Sequence, residues 1–163
     1  SSDLGAASVS SSTSNGAVLS DTAKLADKAE AKPDAKPADD ASSISKSYES
    51  ALALAKAGKF KEAAAAFDKF VKTYPDSEQA PAAQFWLGNS YDMLGDCKQV
   101  IASQQKLLAK WPKNSRAPDA MAKIGQCQAD LGQKAESQKT YKELVSKYPD
   151  SKAASAAKQQ LKK

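Results

Sequence analysis

The sequence predicts an all-α fold in which three helix-turn-helix repeats stack into a right-handed superhelix. A C-terminal capping helix follows the repeats, and a disordered linker precedes them. Two observations predict this architecture: a 37-residue internal repeat, and apolar residues at helical spacing without sustained strand alternation. A third, a change of composition near residue 44, separates the linker from the domain.

The N-terminal segment, residues 1–44, consists mainly of Ser, Ala, Asp, Lys and Pro, with only isolated large apolar residues. Such a segment buries too little apolar surface to offset its ordering entropy, so we expect a disordered linker. It is either a plain spacer or the connection to an absent N-terminal module. Because no starting methionine or signal peptide is present, we expect a processed or truncated product.

The repeat is clearest where an aromatic residue precedes proline, at Tyr74–Pro75, Trp111–Pro112 and Tyr148–Pro149. The prolines are 37 residues apart both times (112 − 75 and 149 − 112). A glycine keeps the same interval, at Gly58, Gly95 and Gly132. A fixed period of this size over three units is typical of a solenoid of stacked supersecondary units.

Each repeat is interpreted as two helices, because glycine suits the turn that ends the first helix and proline stops the second. Asp76-Ser77 and Asn114-Ser115 are expected to cap the first helices of the second and third repeats. The predicted helices are 45–57, 60–73, 78–94, 97–110, 115–131, 134–147 and 151–162. They define a domain at 45–163 with repeats at about 45–75, 78–112 and 115–149 and a cap at 151–162.

Small residues are predicted where the two helices of a pair approach closely, at Ala51, Gly88 and Gly125. Larger apolar residues are expected to fill the layer between helices: Phe60, Phe67, Phe70, Leu87, Tyr91, Leu107, Leu108, Ile124, Tyr141, Leu144 and Val145. Because neither helix of a pair buries its apolar face alone, neighbouring repeats must cover each other.

The pattern resembles the tetratricopeptide repeat (TPR), best at Leu87-Gly88, Tyr91, Gly95 and Pro112. It departs from TPR in its 37-residue step instead of 34, and in having large residues where alanine is usual. These are Phe70, Leu107 and Leu144.

More narrowly, residues 46–161 resemble the C-terminal domain of the CpoB (YbgF) family of the bacterial Tol–Pal system. The segments that resemble it are FVKTYPDSEQAPAAQFWLGNSY, WPKNSRAPDA and KYPDSKAASAAKQQL. The resemblance implies a periplasmic adaptor that binds TolA and coordinates outer-membrane constriction with peptidoglycan synthesis during cell division, through a bifunctional penicillin-binding protein. It also implies a trimerising coiled coil, absent here, so we expect this fragment to be monomeric. The alternative is a scaffold of outer-membrane protein assembly similar to BamD.

A binding groove is expected along the first helices of the repeats, which line the concave side of a TPR superhelix. The expected groove residues are Tyr48, Leu52, Lys56, Phe85, Asn89, Asp92, Met93, Ala122, Gln126 and Asp130. Aromatic residues at Tyr48 and Phe85 either anchor a partner or pack between adjacent helices. Asn89 and Asp92 either bond a partner's backbone or are solvated. The groove lacks the Lys and Arg pairs of TPR domains that bind C-terminal carboxylates, which argues against an Hsp90-type peptide.

The two cysteines, Cys97 and Cys127, are predicted to lie on antiparallel neighbouring helices. If residue 110 faces about 116, residue 97 faces roughly 129, which brings the two thiols together. A disulfide is expected in an oxidising periplasm, and two buried free thiols are the alternative in a reducing compartment.

Other function classes find little support in the sequence. There is no histidine, phosphate-binding loop or serine-hydrolase motif, so we expect no enzyme activity and no cofactor. Residues 45–163 have 20 basic and 12 acidic residues, but the lysines are scattered, so nucleic-acid binding is not expected. No apolar stretch approaches the ~20 residues of a membrane span. A glycan-binding role through Trp86 and Trp111 is the remaining alternative, although both also fit the core pattern.

Overall fold

Seven α-helices and no strand form the part of the chain that the computed structural model describes, residues 40–163. The helices are α1 (Ala41–Lys56), α2 (Phe60–Thr73), α3 (Ala80–Met93), α4 (Cys97–Lys110), α5 (Ala117–Asp130), α6 (Lys134–Lys147) and α7 (Lys152–Leu161). Consecutive helices pack on each other from α2 to α7, and α5 also contacts α7. None of these helices is long and apolar enough to cross a membrane.

The predicted linker at 1–44 falls outside the described residues, apart from its last five. There the prediction is wrong, because α1 begins at Ala41 and not at residue 45. The reason is the packing of Ile44, which lies one helical turn before Tyr48 on the same face of α1. Both residues pack against the core cluster that α1 shares with α2 and α3, so helical structure extends through residue 44.

The second helices of the three repeats have the predicted bounds, 60–73, 97–110 and 134–147. The first helices α3 and α5 begin two residues later than predicted, because the expected caps act elsewhere. Ser77 Oγ donates to the Tyr74 carbonyl at 2.9 Å, and Asn114 Oδ1 accepts from the Arg116 amide at 2.9 Å. Both side chains therefore close the turn after the aromatic–Pro pair instead of capping the helix.

The turns inside the repeats have the predicted geometry. Gly58, Gly95 and Gly132 have φ of 78°, 74° and 82°, the left-handed region in which a residue with a Cβ is strained. Asp96, which follows the second of these glycines, caps α4 by accepting a hydrogen bond from the Gln99 amide at 3.3 Å.

The core consists of layers between successive helices. The first layer contains Phe67 and Phe70, and the last contains Tyr141 and Leu144. Between them, the position equivalent to Phe67 and Tyr141 is occupied by Gln104, which is fully buried. Gln104 Nε2 donates to the Phe85 carbonyl at 3.3 Å, while its Oε1 has no partner. The second repeat therefore has a polar layer where its neighbours have an aromatic ring.

Gly88 and Gly125 occupy the close approaches that the sequence predicts, and they differ in what crowds them. A Cβ at Gly125 would lie 2.7 Å from the Tyr141 ring, and one at Gly88 would lie closer still to Nε2 at the end of the Gln104 side chain. Because a ring yields less than an amide side chain, we expect Gly125→Ala to lower the free energy of unfolding by about 1–3 kcal/mol. Gly88→Ala should lower the free energy of unfolding by less than Gly125→Ala does. Equal decreases for the two variants in urea denaturation would contradict this expectation.

Candidate protein-binding groove

The first helices of successive repeats lie next to each other, as the groove prediction requires. Phe85 of α3 packs in one buried cluster with Ala117 and Ala120 of α5. Farther along the same helices, Lys123 Nζ lies 3.0 Å from Asp92 Oδ2. The exposed faces of α3 and α5 therefore form one continuous surface.

Phe85 is not available to a partner, because its side chain is only 8% exposed. It contacts Leu107, Ala117 and Ala120, and the Arg116 guanidinium lies 5.3 Å from its ring centroid. The expectation of an exposed aromatic anchor at Phe85 is therefore wrong. The Phe85 ring is buried between adjacent helices, which confirms the alternative prediction that it packs there.

Tyr48 and Leu52 are half-buried on α1, and Lys56 is exposed at the end of the same helix. The Tyr48 ring centroid lies 5.7 Å from that of Phe70 and 6.3 Å from that of Phe67. Tyr48 thus packs on α2 and leaves only part of its ring accessible.

The predicted polar groove residues divide into paired and accessible groups. Asp92 is half-exposed, but its carboxylate is paired with Lys123. Gln126 and Asp130 are exposed and bonded to each other, with Gln126 Nε2 donating to Asp130 Oδ1 at 3.0 Å. Asn89 is half-buried, and Met93 is 57% exposed.

An open cleft of about 280 Å³ lies between α5 and α7. The groove prediction included two of its residues, Ala122 and Gln126. It missed Lys123 and Gln160, which occupy equivalent positions 37 residues apart (160 − 123). The repeat alignment contained this signal, but α7 was interpreted only as a cap.

Tyr141 of α6 lies beneath this cleft and borders an adjoining cleft of about 480 Å³. Burial raises the pKa of the Tyr141 phenol, Asp130 adds to the rise, and a hydrogen bond with Ser137 opposes it. The phenol therefore stays protonated at neutral pH. Gln126, Gln160 and Lys123 line the same cleft with amide and ammonium groups that suit the polar backbone of a polypeptide.

A disulfide joins Cys97 at the start of α4 to Cys127 in α5, with the two Cα atoms 5.1 Å apart. The antiparallel register of α4 and α5 brings these residues together, as the helix alignment predicts. The bond ties the second repeat to the third. It lies beside the turns at which α3 and α5 end.

The sequence profile of the YfiO family, described as an outer membrane lipoprotein, matches residues 39–163. This chain belongs to the YfiO family. No curated protein sequence matches it significantly. The match covers the whole TPR domain of this YfiO-family chain, and the family is one of envelope lipoproteins.

Solved TPR structures resemble this YfiO-family chain. The first TPR of Spaghetti (RPAP3) bound to an HSP90 peptide has a TM-score of 0.59 at 19% identity, covering 76% of this chain and 90% of that one. The second TPR domain of human RPAP3 with an HSP70 peptide has a TM-score of 0.58 at 14% identity, covering 72% and 92%. The translocator chaperone SycD of Yersinia enterocolitica has 0.58 at 18% identity, covering 73% and 87%. These matches confirm the predicted all-α TPR fold.

Proposed function

We propose that this protein is a periplasmic adaptor that binds a polypeptide partner along the first helices of its repeats. The observation that supports it most is the open cleft between α5 and α7, in which Lys123, Gln126 and Gln160 stand among small apolar side chains. This cleft continues the α3–α5 surface. Gln126 is exposed and Gln160 is half-buried, and both present amides in this cleft. A helix or an extended segment fits such a groove.

The proposed partner is TolA, which follows from the resemblance of residues 46–161 to the CpoB family. In this proposal the protein links the Tol–Pal system, through a bifunctional penicillin-binding protein, to peptidoglycan synthesis during division. Lys123, the lysine that lines the α5–α7 cleft, is paired with Asp92, which argues against a partner held there by its C-terminal carboxylate.

We expect Gln126→Ala with Gln160→Ala to weaken binding of the periplasmic region of TolA by about tenfold, since two hydrogen-bonding groups are lost. Isothermal titration calorimetry measures this change. Gln99→Ala with Gln105→Ala, at exposed positions on α4, is the matched control and should leave the affinity unchanged. TolA that binds both variants equally would remove the groove assignment.

A second candidate is a scaffold of outer-membrane protein assembly, since the matching family is described as an outer membrane lipoprotein. The two candidates differ in what the immobilised domain captures from envelope extract. Recovery of Tol–Pal proteins favours the first candidate. Recovery of outer-membrane assembly proteins without them favours the second.

A further inference from the structure

The turns that end α3 and α5 expose apolar side chains. Met93, Leu94 and Leu131 are 57%, 47% and 39% exposed, and they are the exposed large hydrophobic residues of the region 40–163. Leu94 and Leu131 are equivalent in the second and third repeats (131 − 94 = 37). Water-exposed apolar groups gathered at two neighbouring turns are typical of a contact surface.

Between these turns lies a cleft of about 460 Å³, here named the turn-edge cleft, lined by Asp92, Asp96, Lys98, Asp130, Leu131 and the disulfide at Cys97. Three of the four carboxylates between residues 79 and 133 line it, and Asp119 is the fourth. Asp92 is paired with Lys123, whereas Asp96 accepts from the Gln99 amide and Asp130 accepts from Gln126 Nε2, both neutral donors. Lys98 is the one cationic residue of the lining.

This negative charge stands out against the rest of the domain. Residues 45–163 have 20 basic and 12 acidic residues, a net charge of +8, so cations are repelled at long range. A cationic ligand is therefore attracted only where carboxylates are concentrated locally. The turn-edge cleft provides such a place next to apolar side chains.

The cleft is also held in shape by a covalent bond. The Cys97–Cys127 disulfide connects α4 to α5 within the lining, with 5.1 Å between the Cα atoms. The Lys123–Asp92 pair connects the middle of α5 to the last turn of α3, so it holds Asp92 at the edge of the cleft. A site that is already formed loses less entropy when its ligand binds.

We propose that the turn-edge cleft docks a cationic amphipathic segment of a partner polypeptide. Apolar side chains of that segment cover Leu94 and Leu131, and its lysines or arginines lie against Asp96 and Asp130. The proposal rests on the proposed adaptor function and gives the chemistry of one partner segment. It also assigns this contact to the turns, away from the α5–α7 cleft.

The test uses a fluorescent 14-residue peptide with leucines at helical spacing and lysines elsewhere, followed by anisotropy. Two comparison peptides replace every lysine by glutamate or every leucine by serine. We expect only the first peptide to bind. The affinity should fall as KCl rises from 50 to 500 mM, because exposed ion pairs are screened.

Two variants locate the site. Asp96→Asn with Asp130→Asn should weaken binding at least tenfold, and asparagine at position 96 still caps α4. Leu94→Ser with Leu131→Ser should do the same. The matched control, Asp76→Asn with Asp150→Asn, removes two exposed carboxylates from turns between repeats and should have no effect. Circular dichroism confirms that each variant is folded.

Equal affinity of the control and both turn-edge variants for the first peptide would overturn the proposal, as would absence of binding. TolA as ligand separates this failure from failure of the proposed function. If TolA binding is lost with Gln126→Ala and Gln160→Ala but unchanged by the turn-edge variants, the adaptor function stands and the turn-edge proposal falls. If the peptide binds the cleft while TolA binds nowhere, the TolA assignment falls instead.

Discussion

Replacing Phe67 with alanine is expected to lower the free energy of unfolding by about 3–5 kcal/mol, the cost of removing a fully buried aromatic side chain. Phe67 has no exposed surface and packs with residues of α1, α2 and α3. Its loss leaves a cavity that the helical backbone cannot close, because Tyr48 and Phe70 hold the surrounding layer. Urea denaturation measures the change, provided that the dependence of the unfolding free energy on urea concentration, the m value, is the same for both proteins.

Leu94→Ala is the control for this substitution, since Leu94 is 47% exposed and lies outside the core clusters. It should change the free energy of unfolding by less than about 0.5 kcal/mol. A loss below about 1 kcal/mol for Phe67→Ala would mean that the first repeat does not share a core with the second.

Reduction of the Cys97–Cys127 disulfide is expected to lower the free energy of unfolding by about 3–4 kcal/mol. The bond spans 30 residues of sequence, and closing a loop of this length removes that much chain entropy from the unfolded state. Urea denaturation with and without dithiothreitol measures the difference, and thiol titration in denaturant counts the thiols released.

A variant with Cys97→Ser and Cys127→Ala is the control for reduction, because dithiothreitol has no bond to break in it. Its stability should match that of the reduced wild-type protein to within about 1 kcal/mol. Two thiols titrating before reduction would contradict the disulfide. An intact bond whose reduction left stability unchanged would mean that α4 and α5 stay ordered in the unfolded ensemble.

Helix type and most boundaries were predictable because each end has a local cause. Pro75 and Pro112 stop the second helices, and Gly95 provides the left-handed turn after the first. The starts of α3 and α5 were not predicted, since Ser77 and Asn114 have the residue types of a cap but bond within the preceding turn. Sequence alone does not distinguish these two uses of a short polar side chain.

The site was predicted less well than the fold because exposure depends on packing between repeats. Phe85 has the spacing of a groove residue, yet its ring is buried. The small residues of α5 leave room for the ring, and the Arg116 guanidinium lies over it. Gln104 is a fully buried polar residue at the position where the first and third repeats have an aromatic ring. Gln160 was not predicted because it lies on α7, which follows the three repeats. This helix borders the groove only because it packs against α5.

The most direct test of the adaptor account is a titration of the ¹⁵N-labelled domain with the periplasmic region of TolA, followed by amide chemical shifts. The account predicts that the largest changes fall on α3, α5 and α7 and include Asn89, Gln126 and Gln160. Changes confined to α2, α4 and α6, or no changes at saturating TolA, would contradict it.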